Sequence, residues 1–68
     1  MKYYVQVMRP DTGGKWKQVK SWTNKNAAIG DAKNTYANRD NLASVDVMAV
    51  RVMQGKHNPV VIFERITS

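Results

Sequence analysis

The stretch TNKNAAIGDAKNTYANR, residues 23–39, decides the fold, because no other segment of the chain has helical periodicity. Thr23 or Asn24 is a suitable N-cap for a helix that starts here. Gly30 costs about 1 kcal/mol relative to alanine in a helix interior, so we expect this helix to be stable only when it packs against a sheet. Its apolar stripe has members three or four positions apart: Ala28, Ile29, Ala32 and Tyr36.

Strand-like segments flank the predicted helix on both sides. They are rich in β-branched and aromatic residues and comprise residues 2–9, 15–22, 45–54 and 60–66. Turn-forming residues join them in pairs: PDTGG at 10–14, and GKHN at 55–58 before Pro59. Residues 40–44 are predicted as a loop. This order predicts an α+β fold, a single ββαββ domain over residues 1–68, with the helix on one face of a four-stranded, mostly antiparallel sheet.

Lysine and apolar residues are distributed unequally among the predicted strands. The second strand carries Lys15, Lys17 and Lys20, and lysine on an edge strand blocks edge-to-edge association. The fourth strand, VVIFERI, is the most apolar, which is typical of a strand inside a sheet. We therefore predict the strand order 2-1-4-3, with the first and fourth strands central and parallel.

The third and fourth strands have apolar residues on both faces, whereas a sheet packed on one side alternates apolar and polar residues. Four strands span about 19 Å and a helix is about 10–12 Å across, so one helix covers one face only. We expect the other face to be covered by a second copy, giving a sheet-face homodimer, or by a host protein. The alternative is a monomer that exposes several valines. The predicted interface residues are Val47, Ala49, Met53, Val61 and Phe63.

The chain is strongly basic, with 11 Lys and Arg, 5 Asp and Glu, and a net charge of +6. A charge of this sign attracts polyanions. KWKQVKSW, residues 15–22, interleaves lysine with tryptophan, a combination that can contact phosphates and stack on unpaired bases. The alternative is a solvated edge strand whose rings lie in the core. The predicted DNA- or RNA-binding residues are Lys15, Trp16, Lys17, Lys20 and Lys25.

Strict alternation in KWKQVKSW puts Val19 on one face of the strand and both tryptophans on the other. A bulge near the end of the strand rotates Trp22 back toward the helix. We therefore place Val19 and Trp22 in the core, with Trp22 near Ala28, and Trp16 at the surface.

No combination of side chains in the sequence is typical of an enzyme. The carboxylates lie on different elements, whereas general acid–base catalysis needs two of them in one cleft. His57 has neither a second histidine nor a cysteine with which to form a zinc site. Gly13-Gly14 joins two strands, whereas a phosphate-binding loop joins a strand to a helix. We expect a non-enzymatic protein with no catalytic residue, no metal site, no cofactor and no small-molecule substrate.

The sequence has no features of export or membrane insertion. It lacks cysteine, has no apolar signal core behind Met1, and has no run of about 18 apolar residues. The absence of cysteine also fits a reducing compartment. We expect a cytoplasmic protein without membrane contact.

Residues 3–37 resemble the arm-type DNA-binding domain of tyrosine integrases through TGGKWKQVKSW and TNKNAA. That family has a strand, a TGK-like basic hairpin, an aromatic residue and a TKxxA-like helix start. Its sheet precedes the helix, whereas two predicted strands follow the helix here. The resemblance therefore implies only that a basic hairpin before such a helix is compatible with DNA.

These observations predict a small basic binding module. It binds nucleic acid through its lysine-rich second strand and dimerises through the open sheet face. The alternative is a protein-binding inhibitor or adaptor of the phage or mobile-element type that acts through the apolar sheet face.

Overall fold

The computed structural model describes residues 1–38 and 47–66, and the predicted loop at 40–44 lies outside them. Within these ranges the elements follow the predicted ββαββ order, with a short 3-10 turn in the first hairpin. They are β1 (Tyr3–Met8), the 3-10 turn (Pro10–Thr12), β2 (Lys17–Trp22), α1 (Lys25–Ala37), β3 (Ala49–Gln54) and β4 (Val60–Ile66). The four strands form one antiparallel sheet and α1 packs on one side of it. The α+β fold class is confirmed.

The turn between β1 and β2 is closed by Thr12. Its hydroxyl accepts from the backbone N–H of Arg9 at 3.2 Å and donates to the Arg9 carbonyl at 2.8 Å. Gly13 and Gly14 follow with φ of 68° and 79°, a left-handed conformation that strongly favours glycine. The predicted turn chemistry of PDTGG therefore reverses the chain into β2.

Helix α1 begins where the sequence predicts. The Asn24 side chain accepts from the backbone N–H of Ala27 at 3.0 Å, which satisfies one of the amides that a helix start leaves unpaired. Ala28 and Ala32 are fully buried against the sheet, and their small side chains allow close approach of helix and sheet. Packing against strands therefore stabilises a helix whose own composition is weak.

The core lies between α1 and one side of the sheet, which we call the helix side. Val5 and Val7 of β1 are cross-strand partners of Val52 and Val50 of β3, so all four project toward α1. The core cluster comprises Val5, Val7, Ala28, Ala32, Val47, Val50 and Val52, with Tyr3, Trp22, Ile29, Tyr36, Ile62 and Phe63 packed against it.

The strand order is β2-β1-β3-β4, so the predicted order 2-1-4-3 is wrong. β3, rather than β4, lies beside β1, and it is antiparallel to β1. In the observed order, the first strand after α1 lies directly under the helix. The central pair is also antiparallel, and antiparallel pairing is slightly more stable per residue than parallel pairing. The prediction of β2 at an edge is confirmed, whereas β4 is the other edge of the described sheet.

A β-bulge explains why β4 has apolar residues on both faces. Val52 pairs with Phe63, but the next residue of β3, Met53, pairs with Val61, so Ile62 is the extra residue. One extra residue reverses the side of the sheet that the following side chains face. Phe63 consequently packs against the helix-side core, and its predicted place on the interface face is wrong.

Val47 is also on the side opposite to the prediction. It is buried in the helix-side cluster. Strand alternation does not apply at this position, because β3 begins only at Ala49. The prediction placed Val47 on the same face as Ala49 because the two residues are two positions apart, and that rule holds only within a strand.

A second bulge lies in β2. Val5 pairs with Lys20 and Gln6 pairs with Gln18, which leaves Val19 unpaired. Val19 is 47% exposed, so its predicted place in the core is wrong. Trp22 packs against the core cluster as predicted, and its indole N–H donates to the Asp31 carboxylate of α1 at 3.1 Å.

Candidate binding surface

The side of the sheet away from α1, which we call the open face, is built from three rows of side chains that cross the strands. Its central row is polar, and by register it contains Gln18, Gln6, Arg51 and Glu64. Apolar and aromatic residues dominate the rows on either side, which include Tyr4, Met53 and Val61 in one row and Met8, Ala49 and Ile66 in the other. The open face is therefore divided by a polar band and is not one apolar patch.

Arg51 connects three strands across the open face. Its Nε donates to Oε1 of Gln6 on β1 at 2.7 Å. Its guanidinium carbon lies 4.2 Å from the ring centroid of Trp16, at the entrance to β2, which is a close cation–π stacking distance. Trp16 therefore belongs to the open face, where Arg51 stacks on it, and both side chains remain partly exposed.

Three of the predicted interface residues lie on the open face. Ala49 is 2% exposed and Met53 is 9% exposed, although no helix covers this side in the described residues. Val61, on the edge strand β4, is 43% exposed, and it is the predicted interface residue most available for contact.

The predicted nucleic-acid residues do not share one face. Lys17 and Lys20 are partners of Val7 and Val5, so they project on the helix side, beyond the cover of α1, where both are exposed. Trp16 is on the opposite side of the same strand. Lys17, Lys20 and Trp16 are therefore close to one another only at the β2 edge and do not share one face of the sheet.

The remaining two predicted lysines extend this charge. Lys15 lies in the turn before β2 and Lys25 at the start of α1, and both are exposed. Lys20 lies with its Nζ 4.7 Å from the centroid of the Trp22 ring. We call Lys15, Lys17 and Lys20 the basic edge.

The β4 edge has a different chemistry. Val60, Val61 and Ile66 are 59%, 43% and 60% exposed, and we call them the apolar edge. The ring centroid of Phe63, on the same strand, lies 4.6 Å from the guanidinium carbon of Arg65 and 5.8 Å from Nζ of Lys33 on α1. Glu64 and Arg65 of β4 are exposed as well, so this edge differs from the β2 edge in having more exposed apolar side chains.

A hollow of about 470 Å³ opens at the end of the sheet where β1 begins, and sequence reasoning missed it. Met1, Lys2, Tyr4, Gly55 and Lys56 line it. The N–H of Gly55 donates to the carbonyl of Lys2 at 3.1 Å, which holds the β3–β4 turn beside the start of β1. Lys2 and Tyr4 are two residues apart, so their side chains share one side of the extended chain. Lys56 is distant in the sequence, and it comes close to them only because β1 pairs with β3.

Acidic groups are few near these surfaces. Within the part of the chain that the structure describes, Glu64 lies on the open face and Asp31 accepts the Trp22 hydrogen bond. In the same part, no three His, Cys, Asp or Glu side chains are placed to hold a metal ion. Nor is any helix among these residues long and apolar enough to cross a membrane.

Compared with protein-family models, with curated proteins and with solved structures, the chain has no match.

Proposed function

We propose that this protein binds single-stranded nucleic acid, with the sugar–phosphate backbone along the basic edge and unpaired bases on the open face. The observation that carries the proposal is the stack of Arg51 on Trp16, at 4.2 Å, beside the lysines of β2. Aromatic rings and guanidinium planes are the groups on which proteins stack unpaired bases.

Charge supports the same ligand. Lys17 and Lys20 are exposed along one strand edge, and no acidic residue occurs in β2. The chain has a net charge of +6, so its field attracts a polyanion from beyond the contact surface. Phosphate contacts then give affinity without sequence preference.

The ligand is single-stranded because stacking on Trp16 and Arg51 requires bases that are not paired to another strand. A base stacked on an aromatic side chain contributes about 1–3 kcal/mol. Duplex DNA offers phosphates to the basic edge but no free base faces. We therefore expect tighter binding to a single strand than to a duplex of equal length.

The test is fluorescence anisotropy with a labelled oligonucleotide of about 12 nucleotides, within the range of site sizes of small single-strand-binding domains. Raising the salt concentration from 50 to 200 mM should weaken binding steeply, because phosphate neutralisation releases counterions. Lys17→Glu combined with Lys20→Glu should weaken binding at least tenfold.

The matched control combines Lys33→Glu with Arg65→Glu. It makes the same change in net charge, but at the β4 side of the molecule. Both double variants also remove a cation–π contact, with Trp22 at the basic edge and with Phe63 in the control. The control should change affinity much less than the change at the basic edge. Equal losses in the two variants, or affinity independent of salt, would contradict the proposal.

The apolar edge favours a second candidate function, association with protein. An exposed apolar edge strand can pair with another strand through its free backbone groups. Val60, Val61 and Ile66 supply apolar contact area there, and Val61 continues that area onto the open face. The partner on this proposal is a second copy of the chain, as in a homodimer, and a protein target of an inhibitor or adaptor is the alternative.

A further inference from the structure

We infer that the hollow at the end of the sheet is a nucleotide-binding subsite, which takes one base with its phosphate. The inference rests on the proposed function and extends it to a second position, separate from the Trp16–Arg51 stack. Tyr4 and Met8 are four residues apart on β1, about 13 Å, and Trp16 lies at the Met8 end of the sheet. The hollow and the stack are therefore two distinct contact points.

The lining of the hollow combines an aromatic ring with two cations. Tyr4 is partly exposed, and Lys2 and Lys56 are exposed. Among the residues that the structure describes, none of those lining the hollow is acidic. A partly exposed ring and two ammonium groups that line one hollow match a ligand with one planar aromatic part and one anionic part.

The size of the hollow fits a ligand of this class. Its volume of about 470 Å³ lies within the range of about 300–1,000 Å³ found for small-molecule sites. Gly55 contributes backbone without a side chain, and its φ of 93° disfavours replacement by a larger residue. The turn before β4 therefore lines the hollow with backbone at Gly55 and with the exposed side chain of Lys56.

The ligand is a nucleotide, either free or as part of a strand, rather than an inorganic anion or an uncharged ring. An inorganic anion would use the two lysines but leave the Tyr4 ring without a partner. A nucleoside would use the ring but not the lysines. We therefore expect thymidine monophosphate to bind at least tenfold more tightly than thymidine or inorganic phosphate.

The experiment is an NMR titration of the whole chain with thymidine monophosphate, thymidine, inorganic phosphate and a thymidine tetranucleotide. The mononucleotide should shift the Tyr4 ring and the amides of Gly55 and Lys56 in a saturable way. The tetranucleotide should shift the same resonances together with Trp16. Lys2→Gln with Lys56→Gln should weaken mononucleotide binding at least tenfold, whereas Lys33→Gln with Arg65→Gln removes the same charge elsewhere and should leave binding nearly unchanged.

Several results would overturn the inference. They are mononucleotide shifts confined to Trp16 and β2, equal losses in the two double variants, or no saturation at millimolar concentration. If the hollow fails in this way while the oligonucleotide still binds through the basic edge, only the subsite is rejected. If the mononucleotide binds at the hollow but the oligonucleotide binds no more tightly than the mononucleotide, the proposed function fails and the subsite stands.

Discussion

Arg51 shows how a single residue organises the open face. It is the one charged residue of the strand AVRVMQ, and it has two partners outside that strand, Gln6 of β1 and Trp16 just before β2. A planar guanidinium can donate in its plane and stack on a ring at the same time, which a lysine ammonium cannot do. The side chain therefore joins β3 to β1 and to the entrance of β2.

Arg51→Lys should destabilise the protein by about 0.5–2 kcal/mol, because it removes the planar stack and the hydrogen bond from Nε while the positive charge stays. The measurement is the denaturant midpoint followed by tryptophan fluorescence.

Arg65→Lys is the matched control, since Arg65 also stacks on a ring but at an exposed position. It should cost no more than a few tenths of a kcal/mol. An equal loss of stability in both variants would contradict this account, because the contacts of Arg51 with Gln6 and Trp16 would then add no more stability than an exposed stack.

At the scale of elements, α1 depends on its surroundings. Only Ala28 and Ala32 are fully buried in it, and Gly30 lies exposed in its interior. A methyl group added at Gly30 would meet no atom within 4 Å. A residue of higher helix propensity at position 30 would therefore fit without any change in packing.

Gly30→Ala should stabilise the protein by about 1 kcal/mol, through higher helix propensity and a less flexible unfolded chain. Thermal and urea unfolding would measure the gain.

Gly13→Ala is the control, because its added methyl group would also meet no atom within 4 Å, whereas its backbone has φ of 68°. It should destabilise, since alanine is strained in that conformation. A loss of stability at Gly30 would contradict the account of α1.

At the scale of the whole molecule, two properties oppose each other. The apolar edge is the proposed site of association between copies, whereas the net charge of +6 on each copy opposes such association. Salt screens repulsion between like charges, so self-association should strengthen with salt. Nucleic-acid binding should weaken with salt. The sign of the salt dependence therefore separates the two proposed functions.

Sedimentation velocity at 10–100 µM should detect dimers whose fraction rises with salt. Val61→Lys should abolish them, because it places a charge on the apolar edge. Val19→Lys is the control, since Val19 has a similar exposure of 47% but lies at the β2 edge. A wild-type protein that stays monomeric throughout this range would rule out the homodimer.

Sequence reasoning predicted the exposure of the β2 lysines but not how the side chains of the candidate binding surface are arranged. Lys17 and Lys20 are exposed at a sheet edge as expected, but Trp16 is on the other side of the strand. The partners of Trp16 and the lining of the hollow were not predicted. They come from strands distant in the sequence, and no local pattern pairs Arg51 with Trp16 or Lys56 with Tyr4.

The sequence by itself determined the elements: the capped helix, the glycine turn after β1 and the lysine-rich edge strand. These depend on interactions between residues close in the chain, such as Asn24 with Ala27 and Thr12 with Arg9. Only the tertiary structure decided the strand order and the face on which Val19 and Phe63 lie. The physical reason is that one bulged residue in β2 or β4 reverses the facing of the side chains around it, and cross-strand pairing, rather than local propensity, selects where that residue is placed.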